Sequence, residues 1–358
     1  MTTVIPSYAI QDWLFARAAG RYDIDLGESG VQAQSVRDLE IDPDWDLDYS
    51  TDRGNTALRE EIAALYSRDE ADRVMVAHGA QEALYLFYRT FLRPGDHVIT
   101  TSPGWQQSWE VPAHMGCRVS RLKLDADGGF DVRALAGLVR EETRLLVLNS
   151  PCNPLGSVIA EPVWEELFAL ADDCGFWVLN DEEYLLDFSR SVVNRYERSV
   201  SVSSLSKVYG LPSLRTGWAF GPSEVVEAMT NYKRYTSVAN SSLTERMATE
   251  ALRNRSRHLK RYEQFVAAGL HRLEAFVGER PGTVRLLRPQ GTPFGWLRVN
   301  VASSSQALAE RLLEEQRVLV MPAEVFGSDN GLRLTYARPL DVLDEGLARL
   351  GAVVDAAA

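Results

Sequence analysis

Lysine is almost missing from this chain: of 38 Lys and Arg residues in 358, only Lys123, Lys207, Lys233 and Lys260 are lysines. Arginine stays charged, so chemistry that needs a deprotonatable amine has four candidates. Cysteine is scarce as well. Cys117, Cys152 and Cys174 are odd in number, widely spaced and without a CxxC pair, which argues against a disulfide framework or a zinc knuckle and predicts buried or partly buried free thiols in a reducing compartment. The five histidines show no HExxH-type spacing, so no metal is expected. Long hydrophobic runs are lacking, and Met1 to Pro6 carry neither the basic nor the apolar region of a secretory signal. The expectation is a cytoplasmic protein without a membrane partner. Positive charge is short too: a net charge of −12 offers no basic face, so nucleic acid is not expected as a partner.

What remains is an ordinary globular composition, 45% hydrophobic and 25% charged, long enough for a large core and two domains. Between residues 74 and 222 short apolar runs alternate with helical patterns: 74–79, 97–101, 145–149, 177–181 and 199–203 read as strands, with a helix over 80–91. That alternation predicts parallel βαβ units in a sheet covered on both faces. Upstream, residues 8–20 read as an amphipathic helix and 23–31 as a strand ending in a tight loop. Asn55 or Thr56 caps a helix that runs to about residue 66. Downstream, 242–276 reads as one long helical stretch broken only at Gly269. Strands are expected near 295–299, 318–321 and 332–335, with a last helix over 341–356.

Chemistry concentrates at Ser204-Leu205-Ser206-Lys207, followed by Arg215 eight residues later and Gly217. A lysine among hydroxyls with an arginine beyond suits an amine that holds an aldehyde cofactor covalently while the hydroxyls and guanidinium grip a phosphate. Other features fit such a ligand, although each has a bland reading. The His78-Gly79-Ala80-Gln81 turn opens a helix whose N–H groups can hold a dianion. Trp105 can stack on a flat ring or sit in a core. Asn153 lies in a Pro-rich loop and can donate to a phenolate oxygen. Asp181 ends a strand, where it can pair with a pyridinium nitrogen or be solvated, and Tyr184 follows three residues on. Arg333 sits in an otherwise apolar strand, where it can clamp a carboxylate or pair with a structural acid. Glu28, Asp52, Glu182 and Glu183 are open between partners for a cationic substrate and solvated loop acids.

With these residues the chain resembles the fold-type I enzymes dependent on pyridoxal 5'-phosphate, in the class I/II aminotransferase group, over about residues 22–350. The resemblance implies an α/β architecture. A large domain over 41–240 would hold a mostly parallel seven-stranded sheet between helices. A smaller α/β domain from 1–40 and 241–358 would be joined to it through a long helix near 242–276. It further implies that Lys207 anchors the cofactor and shuttles the proton. Ser204, Ser206 and Arg215 would bind the phosphate with Ala80 and Gln81. Trp105 would stack on the ring, Asp181 would pair with its nitrogen, and Asn153 and Tyr184 would contact its 3' oxygen. Arg333, Asn153 and the Glu28-Ser29-Gly30 loop would face the substrate. Tyr49 would reach the phosphate in a neighbouring copy, implying a homodimer with shared sites. The chain departs from the family pattern at Leu155, where a threonine is usual, and at Trp105, where a tyrosine is common.

Gln11-Asp12-Trp13-Leu14, Asp25 to Val31, Glu82 to Leu86 and Ser206 to Pro212 are similar to the capreomycidine synthase branch of the family. That branch cyclises a hydroxylated arginine in antibiotic pathways. The expected function is therefore β- or γ-elimination with replacement or cyclisation on an amino acid. An arginine derivative or a sulfonium-bearing substrate would serve. The alternative is a conventional aminotransferase that passes an amino group to a 2-oxo acid. A non-catalytic regulatory module ranks behind both, because no basic helix-turn-helix segment precedes residue 22.

Overall fold

The fold was read from a computed structural model that describes residues 5–358; the expectation placed on Met1 to Val4 lies outside the described residues. Among the described residues, thirteen strands form three sheets. They are β1 Ile24–Asp25, β2 Val74–His78, β3 His97–Ser102, β4 Arg118–Lys123, β5 Thr143–Asn149, β6 Trp177–Asp181, β7 Ser199–Ser204, β8 Thr216–Phe220, β9 Val284–Leu287, β10 Phe294–Val299, β11 Val318–Leu319, β12 Met321–Pro322 and β13 Leu332–Thr335. The large sheet has the order β2-β8-β7-β6-β5-β3-β4, with β8 antiparallel to both its neighbours and the remaining pairs parallel. It is the mostly parallel seven-stranded sheet of an α/β fold.

Side chains along the inner strands alternate between two buried faces, which is why β2, β5 and β6 read as nearly continuous apolar runs; β4, at one edge, is largely exposed. On one face Met75, Ala77, Val98, Val147 and Leu179 pack with Phe87 and Tyr88 of the helix Ala80–Phe91 and Met229 of the helix Ser223–Lys233. On the other, Val74, Val76, Ile99, Leu146 and Trp218 pack with Ile62 of the helix Thr56–Leu65 and Leu167 of the helix Glu161–Cys174. A third core surrounds the antiparallel sheet β12-β13-β10-β9 and the β1-β11 pair, and it also takes in Leu124, Cys152 and Leu155 from loops of the large sheet. The division into 41–240 and 1–40 with 241–358 stands as a proposal; the core beside the helix Thr56–Leu65 also takes in Val31, Ala248, Leu252 and Ala337 from outside 41–240. Among the described residues, no helix is long and apolar enough to cross a membrane.

Several local expectations shift. Residues 9–18 begin as a helical turn, Ala9–Gln11, and widen into a π-helix over Asp12–Ala18. The 23–31 strand shortens to two residues paired with Val318 and Leu319. The long helical stretch breaks at Asn254, between the helices Ser242–Arg253 and Arg255–Gly278, and not at Gly269. Asn254 leaves helical geometry, and the Glu250 carbonyl accepts from both its backbone N–H and its side-chain amide, each at 3.0 Å. Gly269 instead permits close approach: a Cβ there would lie 1.8 Å from the Tyr336 carbonyl oxygen. The three thiols are free, as expected, but Cys174 is exposed at a helix end where burial was predicted.

Gly269→Ala should therefore force apart the helix Arg255–Gly278 and the segment after β13. The expected cost is about 3 kcal/mol, at the upper end of overpacking effects, read as a lowered thermal midpoint; an unchanged midpoint would contradict the packing described.

Candidate active site

In a parallel sheet every crossover delivers a strand's carboxyl end to the same edge, and ligands bind where the strand order reverses. Here β2, β3, β5, β6 and β7 end on that edge. Arg215 joins them because β8, which runs the other way, begins just after it. A cavity of about 380 Å³ opens there. Its lining includes Ala80, Gln81, Trp105, Asn153, Asp181, Tyr184, Ser206, Lys207, Arg215 and Arg333, together with Glu28 and Ser29 from the other end of the chain. Larger depressions of about 820 and 710 Å³ lie elsewhere; they are open surface grooves and contain none of these residues.

Lys207 Nζ donates to Glu28 Oε1 at 2.7 Å. That same carboxylate oxygen accepts from the backbone N–H of Ser29 at 2.7 Å and of Gly30 at 3.1 Å. Burial pushes Glu28 upward, yet the attraction and hydrogen bond of Lys207, the charge of Arg333 and the Ser29 N–H outweigh it and hold the carboxyl at about 2. Glu28 is therefore ionised at neutral pH. Asp181 goes the other way: burial and the neighbouring Glu183 raise it well above the ordinary carboxylate range. From the described residues its side chain accepts one hydrogen bond, from Glu183 N–H at 3.2 Å, so acceptor capacity remains toward the cavity.

The remaining groups are fixed by one another. Arg333 is buried, donating through Nη1 to Asn153 Oδ1 at 2.8 Å and through Nη2 to the Gly27 carbonyl, while its Nε has no partner. Tyr184 donates to Ser29 Oγ at 3.0 Å. Trp105 Nε1 donates to Gln81 Oε1 at 2.9 Å, and its ring meets that of Tyr8 edge-on at 5.9 Å. Arg215 holds a left-handed backbone, φ +49°, a conformation that costs roughly 1 kcal/mol or more outside glycine. It donates to the carbonyls of Pro212 at 3.0 Å and His78 at 3.3 Å. Gly79, at φ +82°, makes this approach possible, since a Cβ would lie 2.3 Å from Arg215 Nη2.

Not every expected residue faces the cavity. Ser204 is buried outside it; its Oγ donates to Glu183 Oε2 at 2.9 Å and accepts from Ser206 N–H at 2.9 Å. In this arrangement it shapes the lysine loop and is not free to meet a phosphate. Gly30 packs on the Lys207 backbone, where a Cβ would lie 3.4 Å from Lys207 Cα. Tyr49 is 89% exposed and outside the cavity of its own chain. Glu182 turns into the core, where Ser201 Oγ and Val192 N–H donate to it, and Asp52 pairs with Arg234 at 2.5 Å. Residues not foreseen as site members also line the cavity, Ile10, Gln11, Leu14 and Phe15 of the N-terminal helix and Asn149, while Glu183, left open between a substrate partner and a solvated acid, lines it too. Asn149 ends β5 beside the Pro-rich loop, which was a usable signal; nothing in the local pattern marked the N-terminal helix as a cavity wall.

The sequence matches Aminotransferase class I and II over residues 19–350. The chain belongs to this family. It is 28% identical to capreomycidine synthase of Streptomyces vinaceus, an alignment covering 97% of this chain and 93% of that protein. It is 31% identical to the arginine–pyruvate transaminase AruH of Pseudomonas aeruginosa over 78% of this chain and 75% of the relative. Among solved structures it superposes on the PLP-dependent cyclase OrfR with a TM-score of 0.91 at 26% identity, covering 100% and 99% of the two chains. The cofactor this membership implies is pyridoxal 5'-phosphate.

The residues present fit that group. The first N–H groups of the helix Ala80–Phe91 have no intrahelical acceptor, and with Arg215 and Ser206, which line the cavity beside them, they could cradle a phosphate. The Asp181 acid can meet a ring nitrogen, while the unpartnered Arg333 Nε marks a site for a substrate anion. One member strains this fit. Burial raises Glu183, with the charges of Lys207 and Arg215 opposing, so a buried acid feels the same arginine that a phosphate would need.

A buried acid with a raised folded pKa binds its proton more tightly when folded. Its stabilising contribution is complete below the unfolded value and is lost as pH rises through the folded one. Glu28 and Glu82, held at about 2, change in the opposite sense but at lower pH. In cofactor-free protein, Glu183→Gln should therefore gain thermal stability over the wild type, by a margin that widens from pH 5 to pH 8. A margin independent of pH would show that Glu183 is not a buried titrating acid.

Proposed function

We propose that this pyridoxal phosphate enzyme releases a β or γ substituent from an amino acid and forms a new bond at that carbon, by replacement or cyclisation, in a specialised antibiotic-type pathway. The observation that carries the reading is Glu28, an ionised carboxylate 2.7 Å from Lys207 Nζ. Amino transfer needs one proton-moving group at the reacting centre; elimination with bond formation uses a second, to serve the leaving group or the incoming nucleophile.

When bound, the cofactor supplies an electron sink for negative charge at the substrate α carbon. Lys207 Nζ would hold the cofactor and, once displaced by the substrate amine, take the α-proton. Glu28, released from its partner, would hold a cationic side chain or exchange a proton with it. Arg333 would clamp the α-carboxylate, aligned by Asn153. Asp181 would keep the ring nitrogen paired, Trp105 would cover the ring, and Asn153 and Tyr184 would address its 3' oxygen. Ser29 accepts from the Tyr184 hydroxyl and fixes it, and Gly30 packs beside the lysine backbone.

A conventional aminotransferase is the second reading, supported by relatives such as the arginine–pyruvate transaminase. Of the cations this chain brings to the cavity, Arg215 serves the phosphate and Arg333 the α-carboxylate, and Lys207 is the anchor. None remains for the distal carboxylate of a dicarboxylic 2-oxo acid, which Glu28 would repel. An arginine derivative meets Glu28 favourably. We further propose a homodimer in which the exposed Tyr49 reaches the phosphate of the neighbouring copy.

The purified holoenzyme, offered arginine, hydroxylated arginines and S-adenosylmethionine, should yield a cyclic or unsaturated product by mass spectrometry. Lys207→Ala should lower turnover by more than about a thousandfold. Steady glutamate formation from amino acids and 2-oxoglutarate would instead establish amino transfer.

A further inference from the structure

Lys233 is the lysine whose burial the site above does not use. It is 0% exposed at the end of the helix Ser223–Lys233. A buried ammonium is costly unless each of its three N–H groups finds an acceptor. Here Nζ donates to the carbonyls of Val76 at 2.8 Å and Asp52 at 3.0 Å, and to Asn240 Oδ1. Burial pulls its pKa down, opposed by the charges of Glu82, Glu245 and Asp52 on the elements around it.

The three acceptors lie on three segments. Val76 is in β2, just before the phosphate cradle. Asp52 belongs to the loop that exposes Tyr49. Asn240 closes the loop after the helix, in which Tyr235 is 91% exposed and Val238 adopts a φ of +62°, rare for a β-branched residue. The same loops are braced around the ammonium. Glu245 Oε2 accepts from Asn55 N–H at 3.0 Å and from Ser50 Oγ. Ser237 Oγ donates to Glu82 Oε1 at 3.0 Å, and Glu82 accepts from His78 N–H at 2.6 Å. Two exposed aromatic loops are thus tied to the cradle strand through one buried charge. Three converging neutral oxygens match the three donors of an ammonium and not the planar five-donor fork of arginine. That accounts for a lysine here when the other deeply buried cations, Arg333 and Arg338, are arginines.

We propose that Lys233 is a positioning residue whose buried ammonium holds loops 48–54 and 234–240 in the form that lets Tyr49 and Tyr235 complete the cofactor-phosphate region of a second copy of this chain. The proposal rests on the homodimer reading above. Lys233→Met should leave the dimer intact by light scattering and weaken pyridoxal phosphate binding about tenfold in a fluorescence titration, the scale of one lost charge-assisted hydrogen bond. Heterodimers of differently tagged Lys233→Met and Lys207→Ala subunits give the decisive readout. Their one site with Lys207 takes its loops from the subunit with intact Lys233. Borohydride-fixed cofactor on that Lys207, followed by mass spectrometry over a cofactor titration, should show wild-type affinity. Retention as weak as in the Lys233→Met homodimer would overturn the proposal, since the lysine would then act on its own subunit's site. Asn240→Ala, which keeps the ammonium, runs through the same heterodimer test if Lys233→Met fails to fold. A monomeric wild-type chain would overturn the dimer reading itself, a failure visible before any variant is made.

Discussion

Six of the seven strands in the large sheet share one direction, and the active-site edge follows from that constraint. Parallel neighbours cannot be joined by a hairpin, so the chain returns through a crossover each time, helical except for the short 3-10 turns between β6 and β7, and delivers the next loop to the same edge. Gly79 and Ala80 follow β2, Trp105 follows β3, Asn153 follows β5, Asp181 ends β6 with Tyr184 just beyond, and Lys207 follows β7. The reversal of β8 places Arg215 at the start of a strand, yet on that same edge. Residues scattered over more than a hundred positions thereby enclose one cavity, and the small antiparallel sheet closes it by bringing Arg333 from β13.

Within that cavity, environment assigns opposite states to chemically similar acids. Glu28 meets a lysine ammonium and two backbone N–H groups and is held ionised. Asp181 and Glu183, buried and adjacent, are pushed toward their neutral forms. Separating carboxyl groups in this way lets one small volume keep one acid charged and others neutral at the same pH.

Within the large sheet β2, β3, β5, β6 and β7, the helix over 80–91 and the cavity membership of Lys207, Asp181 and Arg333 were legible in the sequence, because strand-end motifs and apolar runs are local signals; β4, largely exposed at the sheet edge, and β8 were not foreseen. Other features depend on contacts that no local window contains. Gly269 looks like a helix break but serves the Tyr336 carbonyl, a neighbour from another element. Ser204 belongs to the lysine motif, yet its hydroxyl is held by Glu183, 21 residues away in sequence. Glu182 and Glu183 are consecutive and face opposite surroundings, one in the core and one at the cavity, which only the turn after β6 decides. Lys233 reads as an ordinary helix-end cation until three separate segments converge on it.

The scarcity of lysine has an analytical consequence. Lys123 and Lys260 are exposed, Lys233 is sealed in the interior, and Lys207 stands in the cavity. Among the lysines, amine-directed labelling of the folded chain thus has two constant sites, one silent site and one whose reactivity tracks occupancy of the pocket. The protein carries its own internal standard: a peptide map can report the fraction of loaded sites as a ratio, without any knowledge of the substrate.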